Sequence, residues 1–128
     1  MAKFDVYHLD VTFQDKRASK FRYAVVIDDS ETYVLLLNSI TSQYKEKSDY
    51  IQLQYYPIVD WKAANLKKAS YVDIRSAFKR SFSELLSDAQ YVGCLSKNDQ
   101  EGLLDFILTY PQRLKEWKAE NIEYVGKD

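Results

Sequence analysis

Arg22 and Thr41 are the residues of this chain best suited to chemistry. A basic run, Lys16-Arg17-Ala18-Ser19-Lys20, leads into Phe21-Arg22-Tyr23-Ala24-Val25-Val26-Ile27, and a second apolar run from Val34 to Leu37 ends in Ser39-Ile40-Thr41-Ser42. Read as two strands, these segments set one guanidinium and one hydroxyl at strand ends. Strands hold side chains more rigidly than loops do, and a fixed guanidinium beside a fixed hydroxyl suits the gripping of a phosphate. That points to RNA chemistry. A metal-independent ribonuclease lets the 2'-hydroxyl attack the adjacent phosphorus while charge grows on the phosphate oxygens, and a rigid arginine supplies the stabilisation.

Around this pair, Lys16, Arg17, Ser19 and Lys20 are candidate contacts to an RNA backbone, as basic loop residues are. Ser42 and Lys45, with Lys47 behind them, follow Thr41 closely enough to extend a phosphate track. The plainer reading is that Arg22 pairs with a carboxylate such as Asp15 or Asp28 and that Thr41 caps a strand end. His8 is the single histidine and an obvious general-base candidate by its ordinary pKa, but it lies in mid-strand, away from the strand ends that carry the pair. Asp73 and Arg75 read as a structural ion pair, Trp61 as an anchor for a short helix and Trp117 as packing for the tail.

The elements that must position these residues follow from periodicity. Residues 4 to 13 alternate, with Tyr7, Leu9, Val11 and Phe13 on one face, which predicts a strand. Residues 14 to 20 read as a loop. Residues 22 to 28 and 33 to 39 predict a hairpin around the turn cluster Asp28-Asp29-Ser30-Glu31. Alternation over Asp49 to Tyr55 predicts a fourth strand, Asp60 to Asn65 suits a single helical turn, and Tyr71 to Arg75 makes a fifth strand. A short serine-capped helix near 83–87 and a final strand over 91–95 come next. Ser96 then opens the clearest helix, with Leu103, Leu104, Ile107 and Leu108 at helical spacing and Pro111 set to end or bend it. Short strands closing on themselves, with one substantial helix afterward, predict a mainly β, α+β fold built as a small SH3-like barrel. The reading divides the chain into a domain over residues 1–110 and an added charged, amphipathic, helical tail over 111–128.

Size and composition agree with one ordinary domain: 128 residues, 46% hydrophobic and 29% charged. The apolar stretches are too short to cross a bilayer, and Met1-Ala2-Lys3-Phe4-Asp5 does not open as a signal peptide does, so the expected location is cytoplasmic, with no membrane partner. A single cysteine, Cys94, allows no internal disulfide and no cysteine-clustered metal site, and reads as a small core residue. No metal or organic cofactor is suggested, since histidine and cysteine are too few and a glycine-rich phosphate loop is lacking. Net charge is −1, yet residues 12 to 80 carry 12 Lys and Arg against 8 Asp and Glu. The positive charge belongs to the part that holds Arg22 and Thr41, which permits an RNA partner without announcing one.

Three segments in this order resemble the MazF/PemK toxins, the toxin halves of bacterial toxin–antitoxin pairs. Arg22-Tyr23-Ala24 stands where that family has an Arg-Pro-Val strand segment after a mobile loop, and Ile40-Thr41-Ser42 where it has an Ile-Thr-Ser-type segment after the next long strand. The stretch from Tyr56 to Val72, with Asp60-Trp61 and Asn65-Leu66-Lys67-Lys68-Ala69-Ser70, is similar to the insert of the family's Firmicute and phage-type members. The resemblance covers roughly residues 4 to 108. It implies the family's SH3-like barrel with a short inserted helix and a C-terminal helix. It further implies a sequence-selective endoribonuclease that leaves 2',3'-cyclic phosphate and 5'-hydroxyl ends on single-stranded RNA, works as a homodimer and is neutralised by a cognate antitoxin. In that setting Arg22 would stabilise the transition state, and Thr41 would hold a phosphate oxygen or orient Arg22. Tyr23 stands where the family usually has proline, and the loop over 14–21 has no glycine, so the loop is expected to move differently.

A different class of function stays open beside this one: a noncatalytic SH3-like binding module for protein or nucleic acid that kept the scaffold. The related scaffold of gyrase poisons needs a C-terminal helix end that this sequence does not match.

Overall fold

The computed structural model describes residues 2–10 and 21–122. Six strands form one sheet: β1 (Asp5–Asp10), β2 (Phe21–Asp28), β3 (Val34–Thr41), β4 (Tyr55–Pro57), β5 (Tyr71–Ser81) and β6 (Ala89–Cys94). Three helices accompany them: α1 (Asp49–Gln52), α2 (Phe82–Asp88) and α3 (Lys97–Glu120). The strand order is β4-β5-β3-β2-β1-β6, with each neighbouring pair antiparallel. Among the described residues the sheet does not close, so the expected barrel is an open sheet with β4 and β6 at its edges.

Alternation along the strands builds a core on each face. Val6, Val25, Ile40 and Val72 project to one side, where they meet Tyr56, Ile58, Leu66, Leu95 and Leu103 of α3. Tyr7, Leu9, Ala24, Val26, Leu35 and Leu37 project to the other, under Leu85 of α2. β1 is therefore buried on both sides, with Val6 fully enclosed and Tyr7 and Leu9 nearly so. Burying Leu35 and Leu37 completely contributes about 2 to 3 kcal/mol each from the transfer of apolar surface.

Three expectations change. Asp49 to Tyr55 is not one strand: Ser48 accepts a hydrogen bond from the Ile51 N–H and caps α1, and the extended backbone resumes at Tyr55. A serine followed by Asp49 in the first turn outweighs a short alternation that also fits one helical turn. β5 runs on to Ser81, well past Arg75, because β3 pairs with it from Val34↔Ser81 to Thr41↔Tyr71. α3 runs through Pro111 to Glu120. Arg113 secures the helix beyond the proline by donating to the Phe106 carbonyl at 2.8 Å and to the Leu53 carbonyl at 2.6 Å.

α3 is anchored at its start by Asp99, fully buried and hydrogen-bonded throughout. Its Oδ1 accepts from Tyr56 Oη at 2.7 Å and Val59 N at 2.8 Å, and its Oδ2 from Asp60 N at 2.8 Å. Ser96 in turn caps the helix by accepting from Asp99 N and donates to Asp60 at 2.7 Å. A buried carboxylate is tolerable only with such a full set of partners. Gly102 allows the approach, since a Cβ there would collide with Tyr56 Oη.

Candidate functional site

The hairpin β2–β3 places the pair. Tyr23 lies opposite Ile40, and one step further along the same antiparallel register brings Arg22 opposite Thr41. Side chains alternate, so Arg22 and Thr41 share the face of Ala24, Val26, Leu35 and Leu37. At this end of the sheet α2 no longer covers that face. What lines it is a cleft of about 230 Å³ formed by Arg22, Ser39, Thr41, Lys47, Tyr55 and Asp73 among others.

The cleft wall opposite the hairpin comes from a slip in the β3–β5 register between Asn38 and Ile40. Polar side chains hold the slip in place: Asn38 Nδ2 donates to the Asp73 carbonyl at 3.0 Å, and Ser76 Oγ donates to Ser39 Oγ at 3.0 Å. Tyr55 of β4 sits beside Asp73 across the next pairing. The Asp73 carboxylate accepts from Gln54 Nε2 at 2.9 Å and from the backbone N–H of Arg75 at 3.0 Å. The expected Asp73–Arg75 ion pair is thus a turn contact to the main chain, while the Arg75 guanidinium lies over the Tyr110 ring.

Arg22 is half-buried, and among the described residues none hydrogen-bonds or ion-pairs with its guanidinium. Asp28 sits at the far end of β2 and accepts from Ser30 N; Asp15 lies outside the described residues. Thr41 Oγ1 accepts from Gln43 N at 3.1 Å, which fixes the oxygen and leaves its O–H to donate. Tyr55 is 7% exposed. Burial raises its pKa, the Asp73 charge adds to that, and the Arg22 charge opposes it, so the phenol stays neutral and able to donate near pH 7. Two cations, Arg22 and Lys47, the donor hydroxyls of Thr41 and Tyr55, and the Asp73 carboxylate thus line one small cleft.

Arg22 and Thr41 also border a second cleft of about 410 Å³ that contains Phe21, Tyr23, Ser42, Lys67 and Lys68. Ser42 therefore lies beside the pair. Lys45 is exposed and lines neither cleft, whereas Lys47 lines the smaller one. Lys16, Arg17, Ser19 and Lys20 lie outside the described residues. His8 packs against the rings of Phe21 and Tyr23, with centroids at 5.8 and 4.8 Å, on the face opposite Arg22. Trp61 packs against the first core, and Trp117 lies against Tyr50, with centroids at 5.2 Å. Burial raises the Cys94 thiol pKa, in a half-buried position.

Among the lining residues, sequence reasoning missed Tyr55, Lys67 and Lys68, and it read Asp73 as a structural partner of Arg75. The adjacent lysines carried a signal as a basic doublet close before a strand. Tyr55 carried none, because its place depends on the pairing of β4 with β5.

No family model matches the sequence, and no curated protein matches it. In structure the chain is similar to the Mycobacterium tuberculosis toxin MazF-mt6, with a TM-score of 0.56 and 14% sequence identity over 83% of this chain and 95% of that one. At that identity the likeness concerns the fold. The chain has a MazF-like fold, mainly β with α+β content, whose sheet is open.

Proposed function

We propose that this chain is an endoribonuclease toxin of the MazF/PemK type, in the divergent Firmicute and phage-type branch. It cuts single-stranded RNA selectively by sequence and without a metal ion, leaving 2',3'-cyclic phosphate and 5'-hydroxyl ends. The observation that carries the reading is Arg22, whose guanidinium no described carboxylate engages, facing one cleft with Thr41 at the rim of a MazF-like sheet. Most surface arginines are solvated or loosely paired. This one is half-buried, held on a strand and set beside a hydroxyl oriented by its own turn.

In the reaction the 2'-oxygen loses its proton and attacks phosphorus, the bond to the 5'-oxygen breaks, and that oxygen takes up a proton. Negative charge accumulates on the nonbridging oxygens between these events. Arg22 meets it with a planar fork of donors, and Thr41 donates to one oxygen through the O–H that its turn leaves available. Ser42 and Lys47 flank the phosphate, Lys67 and Lys68 attract the backbone on the side of the larger cleft, and Lys16, Arg17, Ser19 and Lys20, which precede β2 in sequence, complete the contact. Lys45, further out, adds charge to the approach. A homodimer, a cognate antitoxin covering the groove and a cytoplasmic location belong to the same reading, as does an added tail over 111–128.

The test is cleavage of a long, mixed-sequence RNA in EDTA by wild type and Arg22→Ala, with the ends mapped. Discrete wild-type cuts bearing cyclic phosphates, lost in the variant, are the expected result. Absence of cutting by folded wild type overturns the reading in favour of a noncatalytic binding module.

A further inference from the structure

A third depression adjoins the small cleft. It lies at the β4 edge between α1 and the second half of α3, encloses about 520 Å³, and shares the Tyr55 ring with the Arg22 cleft as a common wall. Tyr44 and Trp117 bring ring surface, and Gln52, Asn121, Asp49 and Glu120 bring polar atoms.

Its charged side chains are two carboxylates, Asp49 and Glu120, and one guanidinium, Arg113. Arg113 lies in this groove, where its guanidinium donates to the Leu53 and Phe106 carbonyls and is held flat on the Phe106 ring at 3.8 Å. Gln52 Nε2 donates to the Tyr44 carbonyl at 2.9 Å, and Asn121 Nδ2 donates to the Trp117 carbonyl at 2.8 Å. Each amide keeps its oxygen and one N–H, and Tyr44 and Tyr55 bring hydroxyls, while the charged side chains at the rim without a hydrogen-bond donor of their own to satisfy are the carboxylates of Asp49 and Glu120. The two carboxylates disfavour a phosphate at the rim. They accept hydrogen bonds from amino groups, and the rings offer stacking surface.

The walls are also braced. Tyr44 stacks on Tyr71 at 4.4 Å and 8°, and Trp117 packs on Tyr50. Rings already held in place lose little freedom when a flat ligand lies on them. Along the molecule, the basic Lys67–Lys68 cleft, the Arg22 cleft and this groove with its two carboxylates follow one another through shared walls. That gives a strand of RNA a place for its backbone on one side and for a base on the other.

We infer that the α1–α3 groove seats one unpaired, amino-bearing base next to the scissile phosphate, and so sets part of the sequence preference. The inference rests on the nuclease reading, and two arms separate the two. In the first, an RNA pool randomised around the cut is cleaved by wild type, Trp117→Leu and Glu120→Ala, the second of these keeping the packed indole. Wild type should favour amino-bearing bases over uracil by about tenfold at one flanking position, and both variants should reduce this to about twofold. KM should rise about tenfold for Trp117→Leu, with kcat, its pH profile and the cyclic-phosphate ends unchanged. Retention of the preference in both variants overturns the inference and leaves the nuclease reading standing.

In the second arm, Arg22→Ala protein is photo-crosslinked to single-stranded oligonucleotides carrying 8-azidoadenosine. Crosslinks to the peptides that hold Tyr44 or Trp117 support the groove even where wild type cuts nothing. Crosslinks confined to other peptides, or none, overturn it.

Discussion

The two faces of the sheet carry different kinds of polar chemistry in one small molecule. On one face, at the start of α3, Asp99 is sealed from solvent and its two oxygens accept from Tyr56, Val59 and Asp60, so every interaction is committed to holding the helix on the sheet. Across the sheet, beyond the cover of α2, Arg22 is only half-buried and no described carboxylate engages it. The contrast separates groups that stabilise the fold from groups kept available by it. A charge whose partners are all internal is structural, and one held rigidly without them is ready for a ligand.

The sharpest way to break this contrast is Asp99→Ala, which leaves Tyr56 Oη and two backbone N–H groups without their acceptor. A loss of about 3 to 5 kcal/mol is expected, seen as a Tm lower by about 10 °C or more, while the protein that remains folded cuts RNA at the wild-type rate. Next comes Arg22→Ala, expected to slow cleavage by about a hundredfold to a thousandfold while unfolding free energy moves by about 0.5 kcal/mol or less. Arg22→Lys should fall short by a similar factor, because an ammonium lacks the planar fork. If Asp99→Ala lost activity with its fold intact, or Arg22→Ala lost stability, the division of roles would be wrong.

Smaller effects sharpen it. Lys67→Ala with Lys68→Ala should weaken RNA binding several-fold and uniformly across sequences, lowering the salt slope by about 0.7 for each lysine that meets a phosphate, as measured by binding titrations at several salt concentrations. Ser81→Ala removes the cap of α2 and should cost about 1 kcal/mol in chemical denaturation, with cleavage unchanged. The reciprocal half of that capping box has a pH signature. The Ser81 backbone N–H holds the Glu84 carboxyl below its usual pKa, so this stabilisation is complete above the ordinary carboxylate range and fades as pH falls through the lowered value. The stability gap between wild type and Glu84→Gln should therefore close on acidification.

Local signals made much of the fold legible. The hairpin showed in its apolar runs around Asp28-Asp29-Ser30-Glu31, and α3 in Ser96 followed by apolar spacing. Arg22 and Thr41 were legible for the same reason, since both sit at the ends of strands whose pattern is strong. Residues 49–55 misled because Ile51, Leu53 and Tyr55 alternate like a strand, while the capping hydroxyl of Ser48 starts a helix instead. The second half of β5, Ser76-Ala77-Phe78-Lys79-Arg80-Ser81, has little apolar alternation and is a strand because β3 pairs with it. Tyr55 and Asp73 reach the cleft only through that long-range pairing and its slipped register. No spacing within the sequence encodes such a meeting.

The open sheet has one more consequence, for how the molecule behaves at high concentration. An unpaired strand edge is a template on which a second chain can add. At one edge, β4 is three residues long and ends in Pro57, which has no N–H to offer. At the other, Asn65 donates to the Val92 carbonyl at 2.9 Å, and the Ala64 carbonyl lies so near Gly93 that a Cβ there would stand 2.6 Å from it. A neighbour approaching β6 over Val92 and Gly93 must first displace the 64–65 turn, so Gly93→Val, by pushing that turn away, would turn a solubility safeguard into a nucleus for fibres.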